Sequence, residues 1–298
     1  MPFERIVILE PPKLPIRLDR YLVETLGVSR ARLVPWMKQD SVYVNGQSAK
    51  PSLIVKSIDH IELRSEPPSA VRRTPSIVPR PMIIDMMYED TDLIVVNKAC
   101  GCVVHPGETT HEPTLIDGLI HYWGQNWFPD DTCRPGIVHR LDKETDGLMV
   151  VAKSADAYAD LVHQFKERTV EKRYYAMVHG RPKLDAFTID SPLKKVRTTR
   201  YKMAVSYTDD AAKEACTHCE VIARDTSTSL IRVRPITGRT HQIRVHLAHQ
   251  GWPIIGDGLY GRPRQSTDGH LLQAYHLAFN HPRTGHRLAF TINLSNRF

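Results

Sequence analysis

One polar loop contains the side chains best suited to chemistry. It runs from Gly136 to Gly147, reads Gly-Ile-Val-His-Arg-Leu-Asp-Lys-Glu-Thr-Asp-Gly, and directly precedes an apolar stretch. Asp142 lies two residues after Arg140, so a carboxylate able to act as a base or a nucleophile stands beside a cation. A charged surface turn would have the same composition, and this loop alone does not decide between the two interpretations.

The loop is one of several segments that together resemble the RluA-type pseudouridine synthases. From His139 to Gly147 it matches their signature, except that Asp146 stands where serine is usual. The remaining matches follow in the family's order, and Gln273 replaces a frequent histidine before the last of them. These matches are Asp92 to Gly107, Val170 to Ala176, Pro235 to Leu247 and His281 to Gly285. The resemblance covers nearly all of residues 82–298.

The resemblance implies an isomerase that converts specific uridines of structured RNA to pseudouridine. It implies that Asp142 is the essential catalytic residue, that Arg244 pairs with it, and that Tyr174 is the active-site tyrosine. It further implies that Arg140 helps to displace the target base. Because such enzymes mostly modify ribosomal RNA, large-subunit ribosomal RNA is the expected substrate, with transfer RNA as the alternative.

The chemistry of this isomerisation agrees with the residues present. The glycosidic bond breaks, the uracil turns and C5 joins the sugar, without oxidation or group donation, so we expect no cofactor and no metal. A nearby cation keeps a buried carboxylate ionised, and we predict that Arg244 lies on a helix from Thr240 to His249 that ends at Gly251.

The target base must also leave the RNA stack before it can react. The planar guanidinium of Arg140 can fill the space that the base leaves, and Tyr174 can stack on the extruded uracil. A strand tyrosine can equally pack in a core. Because neighbours on a strand face opposite ways, Tyr175 is the stronger core candidate.

The cysteines and histidines do not form a convincing metal site. An odd number of cysteines argues against a disulfide framework. A zinc site is disfavoured because Cys216 and Cys219 would face opposite sides of a strand. His241, His246 and His249 are interpreted as helix histidines without a third metal ligand. The five cysteines are Cys100, Cys102, Cys133, Cys216 and Cys219.

Residues 1–64 form a second, smaller pattern. A first helix should end at Gly27, Ser29 should cap a second, and Asn45-Gly46 should turn a hairpin, followed by a strand-like stretch from Leu53 to Leu63. This arrangement resembles an S4-type RNA-binding domain. The expected RNA contacts are Arg17, Arg20, Arg30, Arg32 and Lys38.

The predicted fold class is α+β. A small S4-like domain in residues 1–64 is joined, through a linker at 65–81 that contains five prolines, to a catalytic domain in residues 82–298. We expect the catalytic domain to be built on a mixed, mainly antiparallel sheet. Buried strands are predicted at Leu93 to Val96 and Leu148 to Ala152, with a helix capped by Ser154 after the second.

Charge and hydropathy favour a cytoplasmic, RNA-binding monomer. The net charge is +7, and residues 1–80 contribute +5 of it, from 13 Lys/Arg and 8 Asp/Glu. No apolar run is long enough to span a membrane or to form a secretory signal, so we expect no membrane partner.

Two alternatives remain at the level of sequence. A catalytically silent RNA-binding protein or chaperone could keep the fold, although Asp142, Tyr174 and Arg244 are all present. A hydrolase could use the same aspartate, but no water-activating partner for it is evident. Pseudouridine formation excludes the first alternative, and release of free uracil would indicate the second.

Overall fold

A computed structural model describes residues 7–28, 30–67, 77–107, 110, 112–124, 135–196, 202–261 and 269–298. Ser29, predicted as a helix cap, lies outside these ranges, and the side chain of Arg32 is not among the described parts of the chain. The contacts divide the chain into two compact units, residues 1–74 and 75–298. Among the described residues no helix has the length and apolar character needed to cross a membrane.

The first unit combines two helices with short strands. Its sheet has the order β1-β6-β3-β4, and β2 pairs with β5. The elements are β1 Val7–Leu9, β2 Ile16–Arg17, α1 Leu18–Leu26, α2 Arg30–Met37, β3 Val42–Val44, β4 Gln47–Ser48, β5 Ile54–Val55 and β6 Ile61–Leu63.

The turn signals of the first unit act as predicted. Gly27 ends α1 in the left-handed conformation, and Asn45 and Gly46 both have positive φ in the hairpin between β3 and β4. The prediction of a single strand from Leu53 to Leu63 is wrong. This stretch consists of β5 and β6 with a turn between them, in which the Lys56 amide donates to the Asp59 carboxylate at 2.7 Å.

The second unit is built on a sheet of nine strands among the described residues. Their order is β11-β14-β15-β10-β16-β9-β8-β7, with β17 also paired to β16. The elements are β7 Asp85–Glu89, β8 Leu93–Lys98, α3 Leu115–Trp123, β9 Asp146–Ala152, α4 Ala155–Lys166, β10 Glu171–His179, β11 Ala186–Asp190, β12 Leu193–Lys195, β13 Met203–Val205, β14 Cys216–Arg224, β15 Thr228–Pro235, α5 Gln242–His249, β16 Leu272–Asn280 and β17 Arg287–Thr291.

The strand directions confirm the predicted fold class. The pair β16–β9 is parallel, while the other neighbours in this sheet are antiparallel. The strands predicted at Leu93 and Leu148 are β8 and β9, and Ser154 caps α4 by accepting a hydrogen bond from the Ala157 amide.

Two features of this unit position the loop that contains Asp142. Gly147 has φ of +117°, and a Cβ atom there would lie 2.2 Å from the carbonyl oxygen of Ala274 on β16, so only glycine fits. Residues of α5, including Ile243 and Leu247, pack into an apolar cluster with β10 and β15. The helix begins at Gln242, two residues later than predicted, because His241 takes a left-handed conformation with φ of 55°.

The end of the predicted linker packs on the second unit. The Val78 amide donates to the side chain of Asp117 at 2.8 Å, and the Arg80 amide donates to its carbonyl oxygen at 3.2 Å. Asp117 also forms a capping box with Thr114 at the start of α3. These contacts attach residues 78–80 to α3.

Candidate active site

Asp142 and Arg244 meet although 102 positions separate them in the chain. Asp142 lies in the loop before β9, and Arg244 projects from the first turn of α5. The Arg244 Nη1 atom donates to Asp142 Oδ2 at 2.9 Å, and the side chains are 9% and 21% exposed, respectively. The carboxylate therefore keeps partial access to solvent while one oxygen is held by a fixed cation.

A second carboxylate, Asp257, fixes Arg244. Arg244 donates from Nε to Oδ2 of Asp257 at 2.7 Å and from Nη2 to Oδ1 at 2.9 Å, in a bidentate pair. The backbone amides of Leu259 and Tyr260 also donate to Oδ1. Burial raises the pKa of Asp257, but Arg244 and these amides outweigh it and hold the pKa below its usual range. Both members of this buried pair are charged.

Tyr174 lies beside Asp142 in a cavity of about 510 Å³ that Arg244 and Arg140 also line. Burial raises the pKa of Tyr174 well above its ordinary value, and the negative charge of Asp142 adds to this, so the phenol keeps its proton. Tyr175 is not the core residue that strand alternation predicts. It stacks on Tyr275, with 3.9 Å between the ring centroids, and belongs to none of the apolar clusters of the described residues.

Arg140 contacts His105 at the edge of the site. His105 Nδ1 lies 3.0 Å from the carbonyl oxygen of Pro106, a contact that requires a proton on Nδ1. Nε2 can then accept a hydrogen bond from Arg140 Nη1 at 3.1 Å. The exposed Arg140 guanidinium is thus supported by a buried imidazole.

His241 lines the cavity next to the catalytic loop. The Met203 amide donates to the Tyr260 hydroxyl at 2.8 Å, and this hydroxyl is also 2.8 Å from His241 Nδ1. If Tyr260 donates to Nδ1, the imidazole proton is on Nε2, which lies 3.8 Å from Asp142 Oδ1. Burial lowers the pKa of His241, which favours the neutral imidazole.

Several further cations surround this cavity. Burial lowers the pKa of Lys172, and the nearby charge of Arg168 lowers it further. Positive side chains around a cavity favour the binding of a polyanionic substrate. The cations that line the cavity are Arg140, Lys166, Arg168, Lys172, Arg239 and Arg244.

The loop that contains Asp142 is attached to the sheet by the half-buried side chain of His139 and the buried side chain of Lys98. His139 accepts a hydrogen bond from the Val150 amide at Nε2 and stacks on Phe165, and burial lowers its pKa to about 3, so it is neutral. Lys98, 2% exposed, donates to the carbonyl oxygens of Ala99, Cys102 and Lys143. Burial lowers the pKa of Lys98 to about 8.

The predicted RNA contacts of the first unit lie on its two helices, just before the first of them and just after the second. Arg17 and Arg30 both donate to Asp19, which is 1% exposed, while the arginine side chains remain 47% and 66% exposed. Arg20 is exposed and lies 3.6 Å from Glu24, and Lys38 is exposed. Arg17 and Arg30 therefore hold the unit together while their outer edges face solvent.

Among the described residues, one group has the spacing of metal ligands: Asp90, Asp92 and His281. Arg283 donates to both carboxylate oxygens of Asp92, at 2.7 and 2.5 Å, and His281 lies 2.8 Å from Asp90. These pairs make the group an ion-paired cluster. Cys219 is buried whereas Cys216 is half-buried on the alternate face of β14, as strand alternation predicts.

Solved structures first define the class of this fold. "Human RNA Pseudouridylate Synthase Domain Containing 4" has 27% sequence identity and a TM-score of 0.56, over 71% of this chain and 89% of that one. "Human RNA Pseudouridylate Synthase Domain Containing 1" has a TM-score of 0.58 at 24% identity, over 73% and 84%. The fold is thus that of the pseudouridylate synthases.

Sequence comparison then gives the family. The profile of the RNA pseudouridylate synthases matches residues 92–249. An uncharacterized RNA pseudouridine synthase of Aquifex aeolicus is 38% identical, over 95% of this chain and 91% of the relative. Ribosomal large subunit pseudouridine synthase D of Zymomonas mobilis is 36% identical, over 97% and 93%. The chain belongs to the RNA pseudouridylate synthase family, which confirms the isomerase activity on RNA expected from the sequence.

Proposed function

We propose that this enzyme isomerises specific uridines of large-subunit ribosomal RNA, with Asp142 as its catalytic residue. One observation carries the assignment of the site. Asp142 lies at a cavity, partly exposed, with one oxygen 2.9 Å from Arg244, whose Nε and Nη2 atoms donate to the buried Asp257. This arrangement fixes the orientation of the carboxylate and leaves its Oδ1 atom to act on the sugar.

The reaction needs an anion and little else from the protein. The bond between C1′ and N1 breaks, the uracil turns, C5 bonds to C1′, C5 loses a proton and N1 gains one. The Asp142 carboxylate is the group that acts at C1′ as this bond breaks. Arg244 orients this carboxylate, and the protonated Tyr174 provides a flat surface for the displaced uracil.

Arg140 is proposed to enter the RNA stack when the target base leaves it. Its guanidinium is exposed, and its contact with His105 holds it at the edge of the cavity that contains Asp142. A planar cation there can stack on neighbouring bases and donate hydrogen bonds at the same time.

The first unit is proposed to be an S4-type RNA-binding module. Domain limits of 1–64, 65–81 and 82–298 remain our proposal, with Arg17, Arg20, Arg30, Arg32 and Lys38 as phosphate contacts. The net charge of +5 on residues 1–80 supports this role. We further propose that the enzyme is a cytoplasmic monomer.

Ribosomal RNA is proposed as the substrate because relatives that are 36% and 38% identical are named ribosomal large subunit pseudouridine synthase D. Pseudouridines should be mapped in total RNA from cells with and without the gene, and from gene-deleted cells supplied with an Asp142→Asn variant. We expect one or more large-subunit sites to be lost on deletion, restored by the wild-type gene and not by the variant. Loss of sites in transfer RNA alone would overturn the substrate assignment.

The Asp142→Asn variant tests the catalytic role in isolation. Asparagine keeps the shape of the side chain and removes its charge, so the purified variant should fold and bind RNA but form no pseudouridine. Circular dichroism and a binding assay are the controls. An active variant would exclude the proposed role of Asp142, and free uracil released by the wild type would indicate hydrolysis.

A further inference from the structure

The chain differs from the RluA-type signatures at two positions that are neighbours in the structure. Asp146 stands in place of serine and Gln273 in place of a frequent histidine, 127 residues apart in sequence. They are register partners in the parallel pair of β9 and β16. Both side chains are buried, at 8% and 3% exposure. Two departures that adjoin each other suggest a common partner.

That partner is the segment of residues 293–298, here called the strap. Arg297 Nη1 donates to Asp146 Oδ1 at 2.6 Å. Gln273 binds the strap backbone twice, donating to the Asn293 carbonyl oxygen at 3.2 Å and accepting from the Ser295 amide at 3.1 Å. Both unusual residues therefore contact the same six-residue segment.

The strap also reaches the catalytic loop through His270. Arg297 Nη2 donates to the His270 carbonyl oxygen at 3.1 Å. The His270 Nε2 atom lies 2.7 Å from the hydroxyl of Thr145, and its Nδ1 atom lies 3.2 Å from Glu144. The Thr145 amide in turn donates to the carbonyl oxygen of Asp142 at 3.1 Å. A continuous set of contacts thus runs from the strap to the backbone of Asp142.

We propose that Asp146, Gln273 and Arg297 are positioning residues that use the strap to hold the catalytic loop, so that Asp142 stays against Arg244. The proposal rests on the proposed role of Asp142. The strap acts on the side of the loop that faces β16, and Lys98 supports the same loop through the Lys143 carbonyl oxygen at 3.1 Å.

The pH dependence of the ion pair between Asp146 and Arg297 distinguishes a role in positioning the loop from a contribution to stability alone. Burial raises the pKa of Asp146, although Arg297 and Lys98 oppose the change. Among the described residues, Cys100 also lies near Asp146, Glu144 lies near Cys100, and His270 contacts Glu144. As pH falls, Asp146 should take up a proton earlier than an ordinary carboxyl group would, and the ion pair with Arg297 should then be lost.

The test is a double-mutant cycle on the full chain. RNA from cells that lack the gene is the substrate, and pseudouridine formation is measured at saturating RNA. Arg297→Ala and Asp146→Asn should each lower kcat about tenfold, with KM changed less than about twofold, because positioning acts on the reacting state. The double variant should be no slower than either single variant, and Arg297→Lys should recover part of the rate.

Arg287→Ala is the matched control. This arginine lies on neighbouring β17, has a 43% exposed side chain and contacts Thr169 and Asn280 instead of the loop. It should leave kcat unchanged. Assays are run well below the melting temperature of each variant, and Asp146→Asn, which keeps the side-chain shape, serves if an alanine variant fails to fold.

A further readout is kcat measured as a function of pH. In Asp146→Asn, the decrease of kcat on the acid side should begin at a lower pH than in the wild type, because the variant has no carboxyl group at this position to titrate. Variants that melt earlier but keep wild-type kcat and an unshifted profile would overturn the proposal. An inactive wild type would instead count against the proposed substrate, so the two failures are distinguishable.

Discussion

At the scale of single residues, the site depends on one arginine shared by two carboxylates. Arg244 donates to Asp142 with one nitrogen and to Asp257 with two. The Asp257 residue is 1% exposed, so this pair is buried, whereas the Asp142 side chain, at 21% exposure, reaches the cavity. The guanidinium fork can serve both partners at once because its donors point in different directions.

Replacing Arg244 with alanine should impair catalysis. Asp142 then loses the donor that holds its Oδ2 atom, so the carboxylate is no longer oriented. We expect the rate at saturating RNA to fall roughly 100-fold, which is the usual effect of removing a preorganised charge. Arg244→Lys should lie between alanine and the wild type, because it keeps the charge and loses the fork.

The control for this experiment is Arg239→Ala. Arg239 lines the same cavity but donates to the Glu214 carbonyl oxygen rather than to a carboxylate. Arg244→Ala also leaves Asp257 buried without its partner, which can cost about 3–5 kcal/mol of stability, so melting is measured in parallel. If Arg244→Ala instead raises KM alone and leaves the rate at saturating RNA in place, Arg244 binds phosphate and does not support Asp142.

The sequence predicts some of these residues and not others. Asp142, Arg244 and Tyr174 follow from the resemblance, and the structure places all three at one cavity. Asp257 does not follow, because its partnership depends on a loop that turns back on α5. Tyr175 lies on the face of the sheet opposite Tyr174, as strand alternation predicts. That face carries Tyr275 rather than an apolar layer, so Tyr175 is not a core residue.

At the scale of elements, the catalytic loop is positioned by the parallel pairing of β9 with β16. Gly147 pairs with Ala274 in this register, and their backbones approach too closely for a side chain on Gly147. The loop that contains Asp142 ends directly before this contact. The glycine that closes the catalytic signature is thus a packing requirement of the sheet.

Gly147→Ala should destabilise the second unit. The positive φ and the 2.2 Å approach to the Ala274 carbonyl oxygen both oppose a side chain. We expect the free energy of unfolding to fall by more than about 2 kcal/mol, as for strained or overpacked positions, measured by urea unfolding. Gly258→Ala is the control, because its Cβ would meet no atom within 4 Å. Equal stability of the two variants would contradict this account.

The first unit contains an ion-pair cluster that is sensitive to acid. The hydrogen bond from Arg17, aided by Arg30 and opposed by burial, lowers the pKa of Asp19 to about 2. A lowered carboxyl pKa contributes stability above the unfolded value and loses it as pH falls through the folded value. Asp19→Asn should therefore accelerate hydrogen exchange in α1 at neutral pH, and the difference from the wild type should shrink between about pH 4 and pH 2.

Glu24→Gln is the matched control for Asp19. Glu24 lies on the same helix, is 61% exposed and pairs only loosely with Arg20 at 3.6 Å. Exposed pairs contribute little stability, so exchange in α1 should hardly change. A difference between Asp19→Asn and the wild type that persists unchanged at pH 2 would show that packing, and not charge, is responsible.

Local signals predict these elements where a single residue decides the conformation. Gly27, Asn45 and Ser154 act as predicted because each meets a need of the adjacent backbone. The prediction of one strand from Leu53 to Leu63 is wrong because the apolar residues there belong to two short strands. The first, β5, pairs with β2, and the second, β6, pairs with β3. Such pairing is decided by distant strands and leaves no local pattern.

At the scale of the whole molecule, charge and catalysis are divided between the two units. Residues 1–74 hold a net charge of +4 out of +7, from 12 Lys/Arg and 8 Asp/Glu, whereas all residues assigned to the chemistry lie in the second unit. Residues 78–80 are attached to α3 through Asp117, so a truncation should keep them. A chain that begins at Pro75 preserves these contacts.

Removing residues 1–74 should weaken RNA binding and reduce its dependence on salt. Each phosphate contact that is lost should lower the slope of log K against log salt by about 0.9 on duplex-like RNA. The catalytic rate at saturating RNA should change little, because Asp142, Tyr174 and Arg244 remain. In the full chain, Arg20→Glu and Lys38→Glu should reproduce part of the effect, since both side chains are exposed. An unchanged affinity and slope in the truncated enzyme would exclude the first unit as an RNA-binding module.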